Sequence, residues 1–526
     1  MPRKVWSSII SPLLTPPPQL SRIEMLLLAI SLLVAAAYFA GIPNNPPGFF
    51  IDEASIAYNA HTISSAGRDE HGQLFPLYFR AFGEYKSPVY IYALAALYRF
   101  TGPSNFVARI LSALLGLAAA LLLGLLAARI TQRRITGLIV FIAAGLTPWL
   151  FEVSRLVFEV TLLPPLLALF LLCLHNASKR ERWSWRVAAS LSTLLGLIVY
   201  SYSAGRLLGP LFALGLVFFM TRHRWRGVVL TWFIFALTLL PLAIFGLRNP
   251  GTLGERFKYV TYVKPGDSRI EIVLRFIKNY ARDFNPWSWL IAGDPEPRHH
   301  LPVMGSLLAG VVILAILGLV LILLRHRREA WWRFVLYGLA VAPVPAALTL
   351  DHFHTLRLVA LPVFLLVLAV PAIEFFLGEH LNEKGQVTAE GGTRGNPLQS
   401  RRYTVLAVLV ALTIVQGAIF QWQFHRARPR VDAFDSYYPQ VLDAALAQPE
   451  RPVYLLDKTP AAYMYAFWYA TLRGVDLNNF QRANKDLPAP AGAVVISHEL
   501  PCANCQMIFE RGQFRVYRRN QKSDEY

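Results

Sequence analysis

A polytopic α-helical membrane protein with about eleven transmembrane helices, followed by a small extracytoplasmic α/β domain, is what the sequence predicts. Of its 526 residues, 55% are hydrophobic and 16% charged, whereas a soluble globular chain carries about a quarter charged residues. Long apolar stretches recur from residue 23 to residue 421, and Lys and Arg cluster between alternate stretches, as they do in cytoplasmic loops.

A spanning helix needs about 20 mostly apolar residues. By that measure candidate spans lie at 23–42, 107–128, 135–151, 159–175, 187–203, 206–221, 227–247, 303–324, 333–350, 357–377 and 403–421. Residues 88–100 read as a half-inserted helix. The first stretch lacks a small-residue cleavage site, so it is a retained helix behind a cytoplasmic leader, 1–22. A catalytic-size module then covers 23–377, with a first outer loop at 43–106, a Gly-rich cytoplasmic linker at 378–402, a last span at 403–421 and the outer domain at 422–526. In that domain 452–457 and 493–497 read as buried strands, 460–472 as a helix, and 507–519 as a hairpin turning at Arg511 and Gly512.

Arg129, Arg133 and Arg134 follow the second span, Lys179, Arg180, Arg182 and Arg186 the fourth, Arg222, Arg224 and Arg226 the sixth, and Arg325, Arg327, Arg328 and Arg333 the eighth. These loops are cytoplasmic by charge, together with the N-terminus. The acids and mixed polar groups fall in the opposite loops, so charge and chemistry choose the same outer face of the plasma membrane. A net charge of +19 comes without a long basic stripe or recognition motif, which excludes nucleic acid as partner. Three cysteines exclude a disulfide-built scaffold, and Cys502 and Cys505 read as a local disulfide in an oxidising compartment.

Asp52 and Glu53 stand about ten residues past the first span, at the start of a helix that ends at Gly67. Ionised carboxylates are stabilised there, and a general base there would meet an acceptor hydroxyl at the membrane surface. Lys86, just before Pro88, would lie at the height of a lipid phosphate, or serve only as an interfacial snorkel. Arg155 and Glu159 are four apart at the outer end of a span, where an intrahelical ion pair explains them as well as a substrate role does. Arg206 and Arg357 are outer-side arginines at helix starts, against the positive-inside bias. Asp351, His352 and His354, with His299 and His300, are metal-ligating types without a standard zinc spacing.

The order of motifs resembles the membrane glycosyltransferases with the C-type fold, close to the protein O-mannosyltransferase and lipid A aminoarabinose transferase families. The resemblance rests on the acidic pair Asp52–Glu53, a D/E-x-G-x-x-x-P element (Glu70, Gly72, Pro76), a G-x-Y-K-x-P element (Gly83, Tyr85, Lys86, Pro88) and SR-x-x-x-E (Ser154, Arg155, Glu159). It implies inverting transfer of a hexosyl or pentosyl group from a polyprenyl-phosphate-linked sugar to a hydroxyl on a lipid, glycan or protein. Asp52 would be the base that deprotonates the acceptor hydroxyl, with Glu53 orienting it or the sugar. Lys86, Arg155 and Arg357 would hold the donor phosphate, with Tyr85, Glu159 and Arg206 as further substrate contacts. No cofactor is required, although some relatives hold a metal, which Glu84 and an outer-loop histidine could ligate. The rival reading is a flippase for the same lipid. A transporter should place ionisable groups near the bilayer midplane and show repeated halves, and neither pattern is evident.

Overall fold

The computed structural model describes residues 20–42, 44–82, 84–378, 397–426, 432–457, 461–483, 489–498, 502 and 504–520. Most of the expected leader and linker, and Gly83, lie outside these residues. Six helices among the described residues are long and apolar enough to cross a membrane: Asn105–Thr131, Glu159–Ser178, Trp225–Arg248, Ala309–His326, Ala360–Leu377 and Pro397–Arg426. The expectation of eleven is therefore corrected to six.

The other five apolar stretches form helices that stop early, for identifiable reasons. Residues 23–42 give only Arg22–Ala37, 16 residues long. At about 1.5 Å per residue that is roughly 24 Å, short of a hydrocarbon core about 30 Å thick. Residues 135–151 break at Thr147–Pro148 into Arg134–Leu146 and Pro148–Val153. The stretch 333–350 ends as a helix at Val341, ahead of Pro343 and Pro345. Around the YSYSAGR break, Trp185–Ser201 and Gly205–Gly215 are separate short helices, the second with Pro210 inside it. Proline removes a backbone donor and clashes with the preceding turn, so apolar composition outlasts the helix.

Arginine contacts gather at one end of the long helices. At one end Arg133 donates to the carbonyls of Leu377 and Gly378, and Arg224 donates to those of Arg180 and Ser178. Arg325 and Arg402 both lie over the Phe375 ring there. The other end carries the first outer loop and the C-terminal domain. Ala360–Leu377 runs through the middle, with nearly every side chain buried.

The first outer loop begins with the helix Ile51–Ala66, whose first turn holds Asp52 and Glu53 and whose end is capped by Gly67 at φ 67°. That left-handed conformation costs glycine little. A small hairpin follows, β1 (Phe79–Ala81) against β2 (Glu84–Lys86), with Phe79 opposite Lys86. The helix Pro88–Thr101 then leads into the first long span. Helices thus occupy both stretches, Ile51–Ala66 in the loop and Pro88–Thr101 ahead of the span.

Five further strands form the C-terminal sheet: β3 (Val453–Asp457), β4 (Phe480–Ala483), β5 (Val494–His498), β6 (Cys505–Arg511) and β7 (Phe514–Arg519). Their order is β4-β3-β5-β7-β6, parallel on either side of β3 and antiparallel around β7. Cys502 and Cys505 are disulfide-bonded. The helix Ala461–Arg473 docks this domain onto the outer loop. Trp468 stacks 5.9 Å from Phe49 and 6.2 Å from Tyr98, and its Nε1 donates to Asn105 Oδ1 at 2.8 Å.

The docking is tightest at Gly48, where φ is 79° and an added Cβ would lie 2.4 Å from the Phe434 carbonyl oxygen. Gly48→Ala should therefore cost about 1–3 kcal/mol in thermal unfolding in detergent, the usual price of overpacking. Gly474→Ala is the matched control, with φ 65° and open space around the site. It should cost less, and equal losses would mean that the close approach contributes nothing.

Candidate active site

The chemistry of the outer loop is set by how two adjacent acids divide. Neighbouring residues on a helix point about 100° apart, and here Asp52 faces a cavity while Glu53 faces the core. Glu53 is fully buried and satisfied. It accepts from the backbone N–H groups of Phe50 at 2.8 Å and Val157 at 3.0 Å, and from Arg109 Nη2 at 3.1 Å. Arg109 also donates to the carbonyls of Pro46 and Gly48.

Asp52 lines a cavity of about 450 Å³, together with Glu84, Tyr85, Lys86, Glu159, Arg206, Arg298, His299, His354 and Arg357. Lys86 Nζ lies 2.5 Å from Asp52 Oδ1 and 4.0 Å from Glu84 Oε1. Burial by itself would pull the Lys86 ammonium down, but the carboxylates of Asp52, Glu84 and Glu159 outweigh it and hold the group above the ordinary lysine range. Lys86 is thus a buried, fixed positive charge rather than a snorkelling surface lysine.

Two further cations enter the cavity, Arg206 from the start of the helix Gly205–Gly215 and Arg357 from the turn before Ala360–Leu377. Arg206 sits over the Tyr78 ring at 4.8 Å and donates to the Leu253 carbonyl. Arg357 Nη1 donates to Asp351 Oδ2 at 2.5 Å and Thr349 Oγ1 at 2.9 Å. Tyr85 also lines the cavity, its ring 5.6 Å from that of Phe245. Glu159 accepts from the backbone N–H of Ser87, which ties the hairpin to the start of a span.

Arg155 is placed differently from its expected role. It is buried outside the cavity wall and donates to the carbonyls of Tyr38, Ala40 and Asn45. Its guanidinium lies over Phe151 and Phe424. The helix Pro148–Val153 ends before it, and Glu159 begins a new turn, so the two do not share one helix face.

Arg298 is the cavity residue that the sequence reading missed. It lies 4.5 Å over the ring of Phe50, two residues before Asp52, and makes a forked pair with Glu296 at 2.7 and 2.9 Å. Its position beside the His299–His300 pair in an acid-rich stretch, GDPEPRHH, was the available signal.

Asp294, His299 and His354 could hold a divalent metal, since one ligand atom from each lies within 4.8 Å of the others. His354 Nδ1 is buried without a hydrogen-bond partner. Burial, then the nearby Arg357 and His299, push that imidazole down to about 3, which keeps it in its neutral, metal-binding form. A carboxylate with two imidazoles suits zinc or a similar ion. The other metal-ligating candidates are engaged elsewhere: His300 Nδ1 is 2.8 Å from the buried Glu152, and His352 meets Arg282.

Residues 85–246 match the protein family described as dolichyl-phosphate-mannose-protein mannosyltransferase. No curated protein sequence matches the chain. In three dimensions it is similar to ArnT from Cupriavidus metallidurans in the apo state, at 14% identity and a TM-score of 0.57, over 94% of this chain and 97% of that one. The chain has the ArnT fold. The same protein bound to undecaprenyl phosphate gives a TM-score of 0.52 with the same identity and coverage. An oligosaccharyltransferase from Archaeoglobus fulgidus, tethered to an acceptor peptide, is similar at 11% identity and a TM-score of 0.47, over 90% of this chain and 69% of that one. The C-type glycosyltransferase fold read from the motifs therefore stands as a statement of fold.

The joint between outer loop and C-terminal domain titrates. Glu70 is pushed up to about 7 by burial, against hydrogen bonding from Asn59 and from Tyr463 of the C-terminal domain. The folded chain then holds a proton that the unfolded chain releases near 4.5, so stability falls as pH rises from about 4.5 to about 7. Glu70→Gln removes that penalty, on the order of 3 kcal/mol when complete. It should unfold at a higher temperature than wild type at about pH 8 and at the same temperature at about pH 5. A pH-independent difference would refute the assignment.

Proposed function

We propose that this chain is an integral-membrane inverting glycosyltransferase, moving a sugar from a polyprenyl-phosphate donor to an acceptor hydroxyl at the outer face of the membrane. The observation that carries this reading is the contact between Asp52 and the buried Lys86, in a cavity that also receives Arg206 and Arg357. A phosphate leaving group needs positive charge where its negative charge develops, and a hydroxyl nucleophile needs a carboxylate within hydrogen-bond reach.

In the proposed reaction the donor phosphate occupies the space among Lys86, Arg206 and Arg357. It draws the Lys86 ammonium toward itself, which leaves the Asp52 carboxylate free as base. Asp52 takes the acceptor hydroxyl proton, and the acceptor oxygen attacks the anomeric carbon from the face opposite the phosphate. The bond from that carbon to the phosphate oxygen breaks with its electron pair on the oxygen. The products are an inverted glycoside and a polyprenyl phosphate monoester. Glu53 and Arg155 act as positioning residues, holding the loop that presents Asp52. A divalent ion held by Asp294, His299 and His354 would add positive charge to the cavity wall beside Arg298.

The apolar wall residues Leu207, Leu253, Phe257, Val260 and Leu348 suit the first isoprene units of the donor. The clusters of Arg and Lys at the far end of the bundle are the reason for assigning that end to the cytoplasm, which puts the cavity and the C-terminal domain outside.

Purified protein assayed with radiolabelled polyprenyl-phosphate sugars tests the reading. Asp52→Asn should bind the donor with wild-type affinity and lose transfer by about 10²–10⁴-fold, the usual contribution of a general base. Equal transfer by both proteins would move the base elsewhere. Donor movement across vesicles without transfer by either would replace the enzyme with a flippase.

A further inference from the structure

The helix Arg269–Asp283 has no role in the cavity, yet it is the most clearly two-sided helix outside the spans. Ile270, Val273, Leu274 and Ile277 recur at the spacing of one helix face, and all four are exposed, at 72%, 54%, 60% and 55%. The helix is attached to the rest of the protein through other groups. Asn279 donates to the Thr349 carbonyl at 3.1 Å, Tyr280 to the Ala340 carbonyl at 2.7 Å, and Tyr262 to the Ile272 carbonyl at 3.1 Å. Ser268 and Glu271 cap its first turn reciprocally. A helix anchored through other groups with a row of isoleucine, leucine and valine outward is built to cover that row with something.

Three features identify the cover. The span that precedes this helix in the chain, Trp225–Arg248, likewise exposes Leu240, Ile244 and Leu247. Aromatic residues flank it, with Tyr259 and Trp287 exposed at 80% and 63%, the residue types that favour the membrane–water boundary. Between residues 248 and 282 there are eight Lys and Arg against three Asp and Glu. Arg248, Lys258, Lys264, Arg269, Lys278 and Arg282 are exposed. An exposed apolar stripe edged by cations is the pattern of a helix lying in the plane of an anionic bilayer surface.

We propose that Arg269–Asp283 is an interfacial helix that docks on the anionic headgroup layer of the same membrane the spans cross, with Ile270, Val273, Leu274 and Ile277 in the acyl boundary. The consequence for the cavity is geometric. Leu350 donates its N–H to the Val260 carbonyl at 2.8 Å, and Phe257 and Val260 line the cavity. The docked helix thus sets the height at which the cavity wall meets the lipid phosphates. This inference does not depend on the chemistry carried out in the cavity.

Spin labels test it in the full chain. Leu274→Cys and Ile277→Cys, made singly in a Cys173→Ala background, are labelled in nanodiscs of phosphatidylcholine with or without phosphatidylglycerol. A label at Glu271→Cys marks the flank of the same helix. The expected result is strong relaxation by oxygen and weak relaxation by a water-soluble nickel chelate at 274 and 277, with the reverse at 271. Phosphatidylglycerol should deepen 274 and 277, and Lys278→Glu with Arg282→Glu should abolish that deepening. Equal access of the chelate to all three positions overturns the proposal. Dipolar broadening between copies labelled at 274 overturns it too, because a second copy of this chain would then cover the face.

Discussion

The walls of the cavity hang on one buried carboxylate. Glu53 accepts from two backbone N–H groups and from Arg109, and Arg109 also donates to the carbonyls of Pro46 and Gly48. Three separate pieces of chain meet there: the start of the loop helix, the turn after Pro148–Val153 and the first long span. Removing one partner of such a buried pair leaves an uncompensated charge, at a typical cost of about 3–5 kcal/mol. The pair is therefore a register pin for the loop, and Asp52, one residue before Glu53, inherits its position from it.

Arg155 repeats the device on the other side of the loop. Its donors go to the carbonyls of Tyr38, Ala40 and Asn45, groups freed where the first helix ends. A loop held from both sides can keep a carboxylate and an ammonium 2.5 Å apart in a partly enclosed cavity. Such preorganisation lets charged groups act at the moment of reaction without rearranging. The C-terminal domain closes the same frame from outside, through Trp468, the Gly48 approach and the Glu70–Tyr463 contact.

Much of this was legible in the chain. The outer loop, its helix with two acids in the first turn, the Gly67 stop and the C-terminal strands follow from local rules of capping, period and turn chemistry, and each lies where expected. The eleven spans did not survive, because hydropathy counts apolar residues and ignores the proline breaks at 148, 343 and 345 that cut them short. Arg155 and Glu159 were read as sharing a helix face, but the chain leaves the helix between them. Asp294 and Arg298 escaped notice because part of what each meets, His354 for Asp294 and the Phe50 ring for Arg298, lies far away in sequence.

By itself the sequence determined the class of molecule, a membrane bundle with a C-terminal α/β domain, and the stretch in which its polar chemistry is concentrated. Composition and periodicity suffice for that, since the bilayer and the backbone impose them on any chain. Only the tertiary structure decided which of two adjacent acids faces the cavity, and which of four cations meet there. Lys86, Arg206 and Arg357 line the cavity, whereas Arg155 is spent on backbone carbonyls. A helix sets the angle between neighbouring side chains, but the packing of distant helices decides which direction is inward.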